Sequence, residues 1–122
     1  MDTDLIKSLT AMVGDKHVAV FASTRDGEEK LIIDSYLKLK ERIDSLLVII
    51  PRHPERFEEA VKIAKSSGLK VERRSKIKRC DEDTDILIGD SMGEMMAYYS
   101  ISDIAFVGGS PVSYTHLTLP TN

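Results

Sequence analysis

The chain of 122 residues is short of several things, and each shortage removes a class of answer. It has one cysteine, Cys80, which rules out an intramolecular disulfide framework and is too few for a cysteine-based zinc site. It has no tryptophan, and aromatic residues make up 6% of it. No apolar run approaches the roughly 20 residues that a membrane-spanning helix needs. An excess of positive charge is also missing. The formal net charge is −3, which argues against a scaffold held on nucleic acid by bulk charge, so no nucleic-acid partner is expected. The start, Met1-Asp2-Thr3-Asp4, carries acids where a secretory signal needs positive charge, and no such signal is expected.

What is present fits an ordinary globular balance, 42% hydrophobic and 30% charged. By length and composition alone this describes one small, complete domain with a real core. Its hydrophobic pattern alternates. His17 to Ser23 is a nearly continuous apolar run, the mark of a strand covered on both faces. From Glu28 to Ile43, Ile32, Tyr36, Leu39 and Ile43 recur three and four apart, as on one face of a helix. Leu46 to Ile50 is a second buried strand, stopped by Pro51. Pro54 opens a helix with Phe57, Ala60, Val61 and Ala64 on one face, and Gly68 ends it. Leu69 to Val71 reads as a third strand, Ile86 to Asp90 as a fourth, Met92 to Ser100 as a short helix and Ile104 to Val107 as a fifth strand. Such alternation predicts an α/β fold, a Rossmann-like parallel sheet with flanking helices. Residues 1–16 read as a linker or lead-in, with room for a helical turn around Leu5 to Met12.

Between the third and fourth strands, the basic run Arg73 to Arg79 meets the acidic run Asp81 to Asp85. A solvated loop whose charges partly neutralise one another and a phosphate-facing patch both fit. The last stretch is unusual. No charged residue occurs from Pro111 to Asn122, which at ordinary charge content has a chance of roughly one in seventy. Tyr114 to Leu119 alternates like a strand but follows a Gly-Gly-Ser-Pro breaker. Val112 to Thr121 resembles translated adaptor read-through at the ends of unrelated sequences. Residues 111–122 are therefore expected to be a non-native tail, and His116 receives no role.

Ligands of an open parallel sheet bind beyond the carboxyl ends of its strands. Four segments leave that edge: Ser23 to Glu29, Pro51 to Arg56, Asp90 to Glu94 and Gly108 to Ser110. They supply hydroxyls, an arginine, a histidine, helix starts and glycines, a pocket suited to an anionic, hydroxyl-rich ligand. Amides and the positive dipole end at helix starts favour a phosphate, and Arg52 could add a two-pronged contact. Bland roles fit the same residues. Ser23, Thr24, Arg52 and His53 all suit turns, and Asp90 stands where a helix cap belongs. Met92, Met95, Met96, Tyr98 and Tyr99 read as core packing. Cys80 reads as a bystander, and His17 falls on the opposite edge. The glycine-rich dinucleotide, P-loop and nucleophile-elbow motifs are absent, as is any histidine pair at metal-ligand spacing.

The same four segments carry a resemblance. Ala22-Ser23-Thr24-Arg25-Asp26-Gly27-Glu28-Glu29, Pro51-Arg52-His53-Pro54-Glu55-Arg56-Phe57, Asp90-Ser91-Met92-Gly93-Glu94-Met95 and Asp103 to Ser110, in that order, resemble 3-deoxy-D-manno-octulosonic acid (Kdo) transferases. The resemblance implies residues 17–110 as a partial donor domain, the incomplete C-terminal half of a GT-B glycosyltransferase. It implies CMP-Kdo as donor, a lipid A precursor as acceptor, and transfer of Kdo during lipopolysaccharide biosynthesis, with no cofactor and no protein-held metal. By position, Pro51, Arg52 and His53 match a donor-contacting turn, Met92, Gly93 and Glu94 a nucleotide-facing segment, and Ser23 and Thr24 a turn lining the cleft.

Two departures from the family pattern follow. The family continues after Gly-Gly-Ser with a Gly-Gly-His-Asn-x-Leu-Glu-Pro segment, where this chain has Pro111-Val112-Ser113-Tyr114. The family's catalytic carboxylate lies in an N-terminal acceptor domain that this chain lacks, so no catalytic residue is assigned here. That missing domain is also what associates with the cytoplasmic face of the inner membrane. The expected state is a donor-binding fragment, inactive alone. A different GT-B enzyme using a UDP-sugar is the nearest alternative. A receiver-like signalling domain shares the alternation, but it needs acids where Ser23-Thr24 stands.

Overall fold

In a computed structural model the chain is described over residues 3–24, 28–40, 45–51, 53–91, 93–107 and 117–118. The elements run α1 (Thr3–Val13), β1 (His17–Thr24), α2 (Glu28–Lys40), β2 (Ser45–Pro51), a 3-10 turn (Pro54–Arg56), α3 (Phe57–Ser66), β3 (Val71–Arg73), a second 3-10 turn (Arg74–Lys76), β4 (Ile86–Ile88), α4 (Met95–Ile101), β5 (Ile104–Val107) and β6 (Leu117–Thr118). The sheet order is β3-β4-β2-β1-β5-β6. The first five strands are parallel, and β6 pairs antiparallel with β5 through Ala105 opposite Thr118 and Phe106 opposite Leu117.

Both faces of the sheet are covered, so its strands are apolar at successive positions rather than alternate ones. Along β2, Leu46, Val48 and Ile50 join one cluster with Leu9, Met12 and Val13 of α1 and Ala97 and Tyr98 of α4. Leu47 and Ile49 join the other, with Ile32, Ile33 and Tyr36 of α2 and Ala60, Val61 and Ala64 of α3. Two cores thus sit either side of one sheet.

Several boundaries differ from expectation. Residues 3–13 are not a lead-in with a single turn but an eleven-residue helix. Leu9 and Met12 are buried because α1 packs beside the short α4 and covers sheet that α4 cannot reach. The third strand starts at Val71 rather than Leu69. Lys70 is held instead by the loop before β4: its N–H donates to Asp85 Oδ2 at 3.0 Å, and its carbonyl accepts from the amides of Asp85 and Ile86. The fourth strand stops at Ile88, because the chain turns where the Asp90 N–H donates to the Ile88 carbonyl. The expected helix from Met92 begins at Met95, since Gly93 has φ +77°, a left-handed conformation incompatible with a helical turn. Met96 is exposed rather than core, while Tyr98 is fully buried. Of the expected face of α2, Ile32 and Tyr36 are buried, and Ile43 lies outside the described residues.

Candidate functional site

The carboxyl edge is where β1, β2, β3, β4 and β5 end. Ser23 and Thr24 are the last residues of β1, with Thr24 opposite Pro51, the buried last residue of β2. A register irregularity between Ala22 and Thr24 marks the point where β1 leaves regular pairing. His53 is exposed and extended, at φ −127° and ψ 141°, as a residue before proline must be. Its carbonyl accepts the Arg56 N–H at 3.0 Å and closes the 3-10 turn that leads into α3. The positive dipole end of this helical stretch therefore faces the carboxyl edge. Gly93 is exposed at the same edge, and an added Cβ there would meet nothing within 4 Å. Arg52, Met92 and the segments 25–27 and 108–110 lie outside the described residues.

Glu94 does not stand open to solvent. Its carboxylate accepts from Arg74 Nε and Nη2, both at 3.3 Å, and from the Ser91 hydroxyl. Asp90 is not the cap of α4. It accepts from Arg73 Nε at 2.8 Å, from the Ser75 amide at 2.8 Å and from the Ser75 hydroxyl at 2.6 Å. Burial would raise its carboxyl, but the Ser75 and Arg73 hydrogen bonds outweigh that and hold it below the usual carboxylate range. The basic run is thus no uniform solvated loop. Arg73 and Arg74 fold back on the β4–α4 connection, and Arg73 Nη1 also meets Glu58 Oε2 at 2.5 Å. The acidic run finds a different cation: Lys70 Nζ lies 2.5 Å from Asp81 and 2.8 Å from Asp83. Arg73, Arg74 and Ser75 were missed as residues of this edge. The sequence marks Arg73 and Arg74 only as the start of a basic run; Arg73 is the last residue of β3, and Arg74 and Ser75 open the 3-10 turn after it.

The opposite, amino edge holds a cavity of about 580 Å³ lined by residues including Lys16, His17, Arg79 and Cys80. His17 belongs there, exposed, with Nδ1 3.7 Å from Asp103 Oδ2. Burial pushes the Cys80 thiol up to about 11, which keeps it protonated and unreactive at neutral pH. Among the described residues, no group of three or more His, Cys, Asp or Glu side chains could hold a metal ion. Among them, too, no helix is long and apolar enough to cross a membrane.

No protein-family model matches the chain. It is 43% identical over 101 residues to a 3-deoxy-D-manno-octulosonic acid transferase from Haemophilus influenzae, covering 82% of this chain and 24% of that protein. Against the transferase of the same name from Bordetella pertussis, identity is 40% over 98 residues, covering 76% of this chain and 23% of the relative. The chain spans about a quarter of the length of these curated relatives. Among solved structures, it matches the C-terminal CMP-Kdo binding domain of WaaA from Acinetobacter baumannii with a TM-score of 0.79 and 30% identity, over 89% of this chain and 60% of that one. By sequence over most of its length and by fold, the chain is similar to one part of 3-deoxy-D-manno-octulosonic acid transferases, the C-terminal domain.

Proposed function

We propose that the carboxyl edge of this sheet binds CMP-Kdo and supplies part of the donor site of a GT-B glycosyltransferase. One observation carries the reading. Parallel strands β1 and β2 end side by side at Ser23, Thr24 and Pro51, and the connections carrying His53 and Gly93 with Glu94 leave the same edge of the sheet, in a domain that resembles a CMP-Kdo binding domain. The whole enzyme would move Kdo from CMP-Kdo to a lipid A precursor in lipopolysaccharide biosynthesis, at the cytoplasmic face of the inner membrane. The acceptor and the membrane contact would come through a second domain.

The residues present suit the donor half of that reaction. As the bond to Kdo breaks, negative charge develops on the CMP phosphate. Donors already aimed at that charge stabilise it without reorganising. The dipole end before α3 is such a donor, and Arg52, next to it in the sequence, is expected to add a two-pronged contact. Gly93 lets a ligand approach the backbone, and Arg74 offsets the negative charge of Glu94 beside it. No metal or cofactor enters this scheme, and no residue of this chain takes the role of catalytic base.

The test is a calorimetric titration of the 122-residue chain with CMP and with UDP, paired with a transfer assay using CMP-Kdo and a lipid A precursor. CMP should bind more tightly than UDP, and the chain alone should give no turnover. Preference for UDP would move the protein to another nucleotide-sugar class. Turnover would overturn the assignment of the base to another domain.

A further inference from the structure

Two charged residues of the motif segments, Glu29 and Arg56, have no part in the scheme above. Glu29 is the second residue of α2, and its side chain is fully buried. Arg56 ends the 3-10 turn before α3, with its side chain 13% exposed. Arg56 Nη1 donates to Glu29 Oε2 at 2.7 Å and Nη2 donates to Oε1 at 3.2 Å. This is the two-pronged geometry that fixes orientation as well as distance. On its outer side, Arg56 Nη2 also stands 3.5 Å from Glu59 Oε2.

The pair spans the site edge. β1 and β2 are parallel neighbours with Thr24 opposite Pro51, and each charged residue lies five positions beyond its strand's end (24 to 29 and 51 to 56). One contact therefore joins the start of α2 to the start of the helical stretch after β2. It links the two segments that bear Ser23 and Thr24 on one side and Pro51, Arg52 and His53 on the other. Holding two helices together does not require charge. Removing two ions from water offsets much of their attraction, and apolar side chains of similar size stabilise as well or better. A planar fork on a carboxylate does what apolar packing cannot, since it sets the angle and offset between the segments.

We propose that Glu29 and Arg56 are a positioning pair for the ligand of the carboxyl edge, holding the β1 and β2 exits at the spacing at which one phosphate-bearing ligand meets both. This rests on the CMP reading above. The test compares the parent chain with the double variant Glu29→Leu/Arg56→Met, which removes both charges, and with Arg56→Lys, which keeps the charge and loses the fork. Three quantities are read: the melting midpoint, amide hydrogen exchange, and CMP affinity. The double variant should melt near the parent. Its hydrogen-bonded amides at 32–34 and 56–57 should exchange at least about tenfold faster while those of β1 and β2 stay protected. Its CMP affinity should fall at least about tenfold, with Arg56→Lys in between.

Unchanged exchange in both segments of a folded variant overturns the proposal, whatever CMP does. Faster exchange with unchanged CMP affinity overturns the positioning role. If the parent chain does not bind CMP, the donor reading falls and the exchange result alone decides the pair. If the double variant does not fold, Arg56→Lys decides by the same two readouts.

Discussion

At the scale of single residues, Asp90 shows how local chemistry was redirected by its surroundings. Sequence placed it where a cap belongs, yet its carboxylate is 1% exposed and serves Arg73 and Ser75 across 15 and more residues of chain. Removing one partner of such a buried pair strands the other charge. Asp90→Ala should cost about 3 kcal/mol in urea denaturation at neutral pH, at the low end for a buried pair because Arg73 still reaches water. The pH dependence has a definite sign. Asp90 is held below its ordinary value of about 3.9, so its contribution is fully present above that value and is lost as pH falls through the lower folded one. The gap in urea midpoint between parent and Asp90→Ala should therefore be constant at neutral pH and shrink below about pH 4. Gly93 is simpler. A Cβ there meets open space, so Gly93→Ala should cost only the left-handed backbone, about 1–2 kcal/mol by thermal denaturation.

Among the elements, β1, β2, α3 and β5 were legible because each carries its period within itself. The run His17 to Ser23 has the length and apolar continuity of a doubly covered strand, and Phe57, Ala60, Val61 and Ala64 have the spacing of one helical face. α1 was not legible as part of the domain, although Leu5, Leu9, Met12 and Val13 have helical spacing. A segment before the first strand carries no mark of whether a core waits for it. The seven residues of α4 leave room on the sheet that α1 fills. Leu9→Ala should accordingly cost about 3 kcal/mol in chemical denaturation, the price of a buried cavity, whereas a solvated lead-in would lose less than about 0.5 kcal/mol. Helix starts were displaced for a related reason. Gly93 falls inside the helix expected from Met92, but its positive φ sets the start at Met95.

For the whole molecule, the β5 side of the sheet and the tail make a separable prediction. Among the described residues, β6 covers β5 with two, Leu117 and Thr118. If residues 111–122 are no part of the native domain, as their composition suggests, deleting them should leave the melting midpoint within a few degrees of the parent. The β5 edge would then be bare, and self-association in light scattering should rise with concentration.

The amino-acid sequence by itself determined the fold class, the number of parallel strands and the edge on which the site segments gather. Periodicity and strand–helix alternation are local properties, and a parallel sheet puts every strand's carboxyl end on one side. Tertiary structure alone decided which charges meet. Arg73 reaches Asp90, Arg74 reaches Glu94 and Arg56 reaches Glu29, over separations of 17, 20 and 27 residues. Those pairings depend on the strand order β3-β4-β2-β1-β5, which no local spacing encodes. A long charged side chain in water favours no particular partner. Once the sheet brings the strand ends together, each of these arginines meets a carboxylate that is itself largely shielded from water, Asp90, Glu94 or Glu29.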